Sequence, residues 1–313
     1  MNNFGLLDAL TLIGALGMFL FGMNMMSESL QKVAGNKMRS ILSSMTKNRF
    51  IGVLSGIIIT SIIQSSSATT VLIVSFVNAG LLTLGESISV IMGANIGTTI
   101  TAWLVSLIGF KFSIAEIAIP LIGLSLPFIF SKNDKRKTIG HLIIGFSLLF
   151  LGLEYLKTGV PDIKSHPEIL NFLQNYTNMG FLSILLFLLV GTILTIIVQS
   201  SSATMAITLV MISQEWITFE IGAAMVLGEN IGTTITANIA AITANINSRR
   251  AALSHTLFNV FGVIWVLIIF YPFTKMVGYI VNFDATTHEN ALYALSMFHT
   301  LFNLCNTLIM IFL

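Results

Sequence analysis

Gln64-Ser65-Ser66-Ser67-Ala68-Thr69 recurs as Gln199-Ser200-Ser201-Ser202-Ala203-Thr204, 135 positions further along the chain. A second stretch, Gly93-Ala94-Asn95-Ile96-Gly97-Thr98-Thr99-Ile100-Thr101-Ala102, recurs at the same offset of 135 as Gly228-Glu229-Asn230-Ile231-Gly232-Thr233-Thr234-Ile235-Thr236-Ala237. Two motifs repeated without slippage mark an internal duplication, and a duplication governs how every other segment is read. A weaker echo, Phe19-Leu20-Phe21-Gly22 against Leu149-Phe150-Leu151-Gly152 at an offset of 130, extends the repeat upstream into an ordinary first span.

The motifs sit in a strongly apolar chain. Of its 313 residues 55% are hydrophobic and 9% charged, with a mean hydropathy of +0.91, whereas a soluble domain carries about 25% charged residues. Apolar stretches approaching the roughly 20 residues that span a bilayer core recur from end to end. A single membrane transport domain over residues 1–313 is expected. The N-terminus lacks the basic region and small-residue cleavage site of a secretory signal, so its first apolar segment is expected to be retained as a span. Cys305 is the sole cysteine; it excludes an intrachain disulfide and a cysteine-based metal cage, and its apolar setting reads as packing. The formal charge of +2 does not point to nucleic acid, because the basic residues lie in short clusters between apolar segments.

Those clusters report topology. Lys32, Lys37, Arg39, Lys47 and Arg49, then Lys132, Lys135, Arg136 and Lys137, then Arg249 and Arg250 hold eleven of the fifteen basic residues. Basic residues concentrate in cytoplasmic loops, so all three clusters are assigned to the cytoplasm. As one helix, residues 50–79 would run roughly 45 Å, beyond the bilayer core. A single crossing there would also put the Lys132 cluster outside. A re-entrant hairpin with its tip at Gln64–Ser67 restores the count. It is followed by a crossing helix over 81–109 interrupted at Asn95 to Thr99, spans over 113–130 and 138–156, and an outer polar stretch from Lys157 to Met179. The second hairpin, 181–213, then enters from the opposite face, and a broken helix over 217–246 returns the chain to Arg249. Two spans, 251–271 and 290–313, complete it; they share His255-Thr-Leu-Phe-Asn259 and His299-Thr-Leu-Phe-Asn303.

The expected fold is thus an all-α integral membrane protein of two inverted-topology repeats. Each repeat holds a span, a re-entrant helical hairpin, a broken helix and a further span, and one extra C-terminal span follows. The repeats cover 1–135 and 136–271, and residues 272–313 hold an outer loop and the extra helix. The protein is expected in the cell membrane as a multi-pass chain, with its N-terminus outside and its C-terminus cytoplasmic. Inverted repeats with discontinuous helices are an architecture of secondary transporters.

Non-helical backbone survives at membrane depth only where it is buried in protein or lines a wet cavity. A break exposes carbonyls that suit a hard cation and N–H groups that suit an oxyanion. Gln amides and Ser hydroxyls serve either ion. Gly97 and Gly232 permit a turn or a close approach, with Asn95, Thr98, Thr99, Asn230, Thr233 and Thr234 offering oxygens around them. No lysine or arginine lies in either motif, so an anion here would be neutralised by helix ends and co-bound cations. Small and hydroxyl residues in membrane helices also serve packing; doubling at one spacing, with a Gln and an Asn alongside, favours a site. Glu229 replaces Ala94 and breaks the symmetry of charge; it reads either as a cation or proton ligand or as a hydrogen-bonded structural acid. Glu86, Glu215 and Glu220 fall near segment ends, where a solvated carboxylate is expected. His255 and His299 read as helix–helix hydrogen-bonding groups, and His141, His166 and His288 suggest no transition-metal site. No histidine or lysine lies in the motifs to act as a base for the serines, which argues against an enzyme.

The paired Gln-Ser-Ser-Ser motifs, each followed by an Asn-Ile-Gly-Thr element, resemble the sodium-phosphate cotransporter family, the type II class of animals and its bacterial relatives. The resemblance implies sodium-driven import of inorganic phosphate by alternating access, with Na+ as the coupling ion and no cofactor. It implies a phosphate site at Gln64, Ser65, Ser66, Ser67, Gln199, Ser200, Ser201, Ser202, Asn95 and Asn230. Sodium candidates are Ser67, Thr69, Thr98, Thr99, Ser202, Thr204, Thr233, Thr234 and Glu229. Partners are then phosphate, Na+ and the lipid bilayer, and a homo-oligomer is compatible. The alternatives are a sodium-coupled transporter of another small oxyanion or a carboxylate, and a passive anion channel. Animal members carry a large extracellular loop between the repeats where this sequence has the short stretch 160–179, and many bacterial members carry a C-terminal regulatory domain, whereas this chain is expected to end in its last span.

Overall fold

A computed structural model of the protein describes residues 5–43, 48–110, 114–159, 175–283 and 290–312. Lys47, His166, His288 and most of the outer polar stretch lie outside them. The described residues are helical almost throughout: α1 Leu6–Ser43, α2 Arg49–Ile63, α3 Ser66–Asn78, α4 Leu84–Trp103, α5 Ile114–Ile129, α6 Asp134–Gly159, α7 Phe181–Val198, α8 Ser201–Ser213, α9 Phe219–Gly232, α10 Thr234–Ala241, α11 Ile246–Ile268, α12 Phe270–Val281 and α13 Ala291–Met310. Six helices among these residues are long and apolar enough to cross a bilayer, while α2, α3, α5 and α8 are apolar but shorter. The protein is an all-α, multi-span membrane protein.

Both Gln-Ser-Ser-Ser segments break the helix. Gln64 ends α2 in the left-handed region (φ 56°, ψ 24°), and Gln199 ends α7 with the same geometry (φ 55°, ψ 25°). The next serines, Ser65 and Ser200, are extended and cap α3 and α8 by accepting from Ala68 N and Ala203 N. A non-glycine residue at positive φ is uncommon; its matched presence in both repeats makes the reversal a specified feature of the fold.

Glycine contacts give the helix directions. A Cβ on Gly93 would lie 1.9 Å from Val53 O, and one on Gly56 2.1 Å from Val90 O. The repeat equivalents, 135 positions on, meet equivalent atoms: Gly228 meets Leu188 O at 2.0 Å, and Gly191 meets Met225 O at 2.3 Å. Residue numbers rise together along each pair, so α2 runs parallel to α4 and α7 to α9, in backbone-to-backbone contact. In α1 and α6, by contrast, Gly22 abuts Leu149 N and Gly152 abuts Phe19 N, an antiparallel crossing whose two halves exchange under the 130-residue offset. The upstream echo is thus the set of small positions through which the two first helices touch.

The first hairpin enters and leaves at one end of the molecule. Arg49, at the start of α2, donates to Ile311 O just past α13 (2.9 Å), and Asn78, at the end of α3, accepts from Asn245 N at the start of α11 (2.8 Å). Arg249 and Arg250 belong to that start, and the antiparallel packing of α1 on α6 brings the basic half of α1 toward Lys135–Lys137. The second hairpin ends elsewhere: Gln214, just past α8, donates to Lys157 O at the far end of α6 (3.1 Å).

The break expected at Asn95 to Thr99 in the first repeat is not there. Helix α4 runs unbroken to Trp103 and loosens only over Leu104–Gly109, which is π-helical. The motif polar groups spend themselves inside the helix: Asn95 Nδ2 donates to Ile91 O (2.8 Å), Thr98 to Ala94 O (3.0 Å) and Thr99 to Ile96 O (2.8 Å). Gly97 serves close approach instead, since a Cβ there would lie 2.8 Å from Ile57 O. In the second repeat the interruption does occur, as a bend at Thr233 between α9 and α10. The span expected to end at 271 gives way sooner, and the short helix α12 follows α11 directly, amphipathic with Tyr271 and Tyr279 exposed.

Candidate functional site

The two hairpin tips meet. A cavity of about 70 Å³ is lined by Gln64, Ser65, Ser66 and Ser67 of one tip, Gln199, Ser200, Ser201 and Ser202 of the other, and Met23, Asn24 and Ser27 of α1. Residues 135 apart in sequence therefore face one space, with the first turns of α3 and α8, each 13 residues long, opening onto it. The first N–H groups of a helix have no intrahelical partner and carry the positive end of its dipole. Two such ends beside one cavity, with seven serines in its lining, supply the kind of donors that an oxyanion site uses. No charged side chain lines it.

The tips are held differently. Gln64 is 5% exposed: its Nε2 donates to Ser61 O (2.5 Å), and its Oε1 accepts from Thr101 Oγ1 (3.0 Å). Ser27 of α1 donates to Ile63 O and accepts from Gln31 Nε2 (3.1 Å), stapling α1 to the first tip. Gln199 is exposed, and its side chain makes no hydrogen bond among the described residues. The repeat equivalent of Thr101, Thr236, donates instead to Thr233 O (3.0 Å). One amide is therefore locked and the other free.

The remaining expected site residues lie outside the cavity lining. Asn95 is 2% exposed with its Oδ1 3.4 Å from His255 Nε2, so both ends of its amide face protein. Asn230 donates to Val226 O (2.8 Å). Thr69, Thr204 and Thr234 donate to Ser65 O (2.9 Å), Ser200 O (3.2 Å) and Ile231 O (2.8 Å). A hydroxyl that has spent its hydrogen on a carbonyl keeps its lone pairs, the half a cation would use. Thr233 Oγ1 reaches across the repeats to Ser67 Oγ (3.3 Å). Thr60 and Thr195, 135 apart and one turn before the tips, are buried with hydroxyls lacking a partner among the described residues.

Glu229 is 1% exposed and accepts from Thr208 Oγ1 (2.8 Å). Both partners are polar only in the second repeat, since the positions 135 earlier are Ala94 and Ile73, each fully buried. The one ion pair among the described residues is Lys157 with Glu154 (2.9 Å), so Glu229 has no basic partner among them.

Sequence reasoning missed α1 and Thr101. The signal for α1 was available: Asn24, Ser27 and Gln31 recur at helical spacing where an apolar span turns polar, and polar groups inside a span are functional candidates.

The family model described as Na+/Pi-cotransporter matches residues 18–158 and 165–302. The chain belongs to the Na+/Pi-cotransporter family. Both matched blocks carry one Gln-Ser-Ser-Ser tip each, so the cavity is built from the two halves that the family shares. The family is one of transporters, not of enzymes. Similar proteins include YqeW of Bacillus subtilis 168, of uncharacterised activity, 32% identical over 295 residues covering 93% of this chain and 90% of YqeW. YjbB of Escherichia coli K12, described as a candidate inorganic phosphate export protein, is 27% identical over 98% of this chain, which spans 54% of YjbB. Human sodium-dependent phosphate transport protein 2B is 39% identical over 98 residues, 31% of this chain and 14% of that protein. No solved structure matches the chain.

Proposed function

We propose that the protein is a sodium-coupled symporter that imports inorganic phosphate by alternating access, with phosphate held between the two Gln-Ser-Ser-Ser tips. The observation that carries this reading is the single cavity shared by both tips, into which two helix N-termini open and from which charged side chains are absent. Charge bookkeeping supplies the coupling. Each helix N-terminus offers about +0.5 charge, so two offer about +1. A phosphate group near neutral pH carries about −1.5 to −2. About half to one negative charge remains, and the lining contains no Lys or Arg to balance it. A co-bound Na+ does so.

Gln199, Ser66, Ser201 and Ser202 then contact phosphate, while Asn95 and Asn230 position the helices behind the tips. Sodium takes the lone pairs of Ser67, Thr69, Thr98, Thr99, Ser202, Thr204, Thr233 and Thr234, and Glu229 is a cation ligand found in the second repeat alone. The two repeats are read as inverted. The hairpin ends support this, as one returns beside the start of α11 and the other beside the end of α6. The basic clusters then put the N-terminus outside and the C-terminus in the cytoplasm of the cell membrane.

The description of YjbB as an exporter favours a second reading, efflux through the same site. Purified protein in liposomes separates the two. An inward sodium gradient is expected to drive accumulation of labelled phosphate, with arsenate competing more strongly than sulfate. Phosphate movement independent of sodium would remove the coupling, and conductance without accumulation would indicate a channel.

A further inference from the structure

A second cavity, of about 280 Å³, opens where the start of α2, the first half of α4 and the middle of α11 meet the end of α13. Its walls are Gly85, Ile88, Ile91 and Met92 on one side, with Leu257, Phe258, Met310 and Ile311 on the other. Two serines in the wall spend their hydrogens on their own helices, Ser89 on Gly85 O (3.2 Å) and Ser254 on Ala251 O (2.7 Å). The interior is therefore effectively apolar. Arg49 lines the cavity, and only one of its five N–H donors is accounted for, by Ile311 O (2.9 Å). No carboxylate pairs with it among the described residues. Arg250, exposed, stands one helical turn before Ser254 on the same face of α11. An apolar slot with the Arg49 guanidinium in its lining, and Arg250 one turn before the lining residue Ser254 on α11, matches a ligand with an acyl chain and an anionic phosphate headgroup.

We infer that this groove binds an anionic glycerophospholipid, its acyl chain between α4, α11 and α13 and its phosphate on Arg49 and Arg250. The site is separate from the hairpin-tip cavity, and the inference does not depend on what the protein transports. Free inorganic phosphate would satisfy the arginines but not the apolar walls, so lipid is the occupant.

Native mass spectrometry of the full chain, titrated with phosphatidylglycerol or phosphatidylcholine of identical acyl chains, tests it. Wild type is expected to retain phosphatidylglycerol preferentially, and Arg49→Gln or Arg250→Gln to lower that preference about fivefold each, from roughly 1 kcal/mol per basic residue. Lys135→Gln, at the start of α6, should leave it unchanged. Gly85→Leu separates slot from headgroup, because a Cβ at Gly85 meets no heavy atom within 4 Å. Gly85 lines the groove and a side chain added there displaces no protein atom at its Cβ, so retention of both lipids should fall several-fold. Since Gly85→Leu keeps both arginines, the slot is tested even if Arg49→Gln fails to fold. Equal retention of the two lipids by wild type would overturn the inference. So would a preference that survives in both arginine variants, full retention in Gly85→Leu, or displacement of the lipid by excess inorganic phosphate.

Discussion

Replacing Gly93 by Ala adds one methyl group where the geometry leaves no room for it. The new Cβ would lie 1.9 Å from Val53 O, 2.7 Å from Val53 C and 2.9 Å from Val53 Cα. All three are backbone atoms, so no side chain can swing aside. A carbon and a carbonyl oxygen ordinarily approach to about 3.3 Å. Relieving the contact therefore separates α2 from α4 by roughly 1.4 Å. Overpacking of this kind costs about 1–3 kcal/mol. The displaced arm ends in Gln64, so the defect is carried into the tip. Misplacing a working group by about 1 Å costs on the order of 100-fold in rate, and sodium-driven phosphate uptake in liposomes should fall at least about 10-fold. Gly228→Ala, whose Cβ would lie 2.0 Å from Leu188 O, should show the same loss through the other tip. Gly85→Ala, with no heavy atom within 4 Å, is the control; relief of the glycine entropy cost should leave it unchanged or about 0.5–1 kcal/mol more stable. Thermal unfolding and uptake measured on the same preparations decide the matter. Wild-type stability and uptake in Gly93→Ala would refute the backbone-contact argument.

Other perturbations separate the roles within the site. Gln199→Ala removes a side chain with no partner among the described residues, so it should raise the KM for phosphate with little change in unfolding temperature. Thr101→Val strands the Gln64 carbonyl and should cost about 1–3 kcal/mol, seen as a lower unfolding temperature that Thr101→Ser restores. The double variant Thr208→Ile with Glu229→Ala installs the Ile73–Ala94 pair of the first repeat; it should fold, while the sodium dependence of uptake becomes shallower. An unchanged sodium dependence would remove Glu229 from the coupling. Ser27→Ala, read by unfolding, should lose about 1 kcal/mol with its hydrogen bond to Ile63 O.

The helical reversals were legible because Gln-Ser-Ser-Ser occurs twice in chains of apolar residues, where a polar cluster at membrane depth needs a reason. The interruption placed at Asn95 to Thr99 was not legible. Glycine beside Asn and Thr looks alike whether it breaks a helix or lets a neighbour approach, and only the position of Ile57 and Thr60 decides between them. The wide turn at Leu104–Gly109 carries no helix-breaking residue before Gly109, which lies close against Phe150 and Leu153. The unequal treatment of Gln64 and Gln199 was equally hidden. The hexapeptides are identical; the difference comes from Ser27 of α1 and from the direction of Thr101, whose counterpart Thr236 follows the bend at Thr233 and donates to Thr233 O instead. Glu229 is marked in the sequence by Ala94 at its counterpart position, whereas its partner Thr208, 21 residues away, is joined to it by the packing of α8 on α9.

Both tips are expected to hold one phosphate between them. Cys305 is the only cysteine, so a Cys305→Ala background allows single cysteines at the matched positions Ser66 and Ser201 to be followed by thiol labelling. Phosphate with sodium is expected to slow labelling at both positions, and phosphate without sodium to protect neither. Protection of one position alone, or protection that does not need sodium, would contradict a shared, sodium-coupled site.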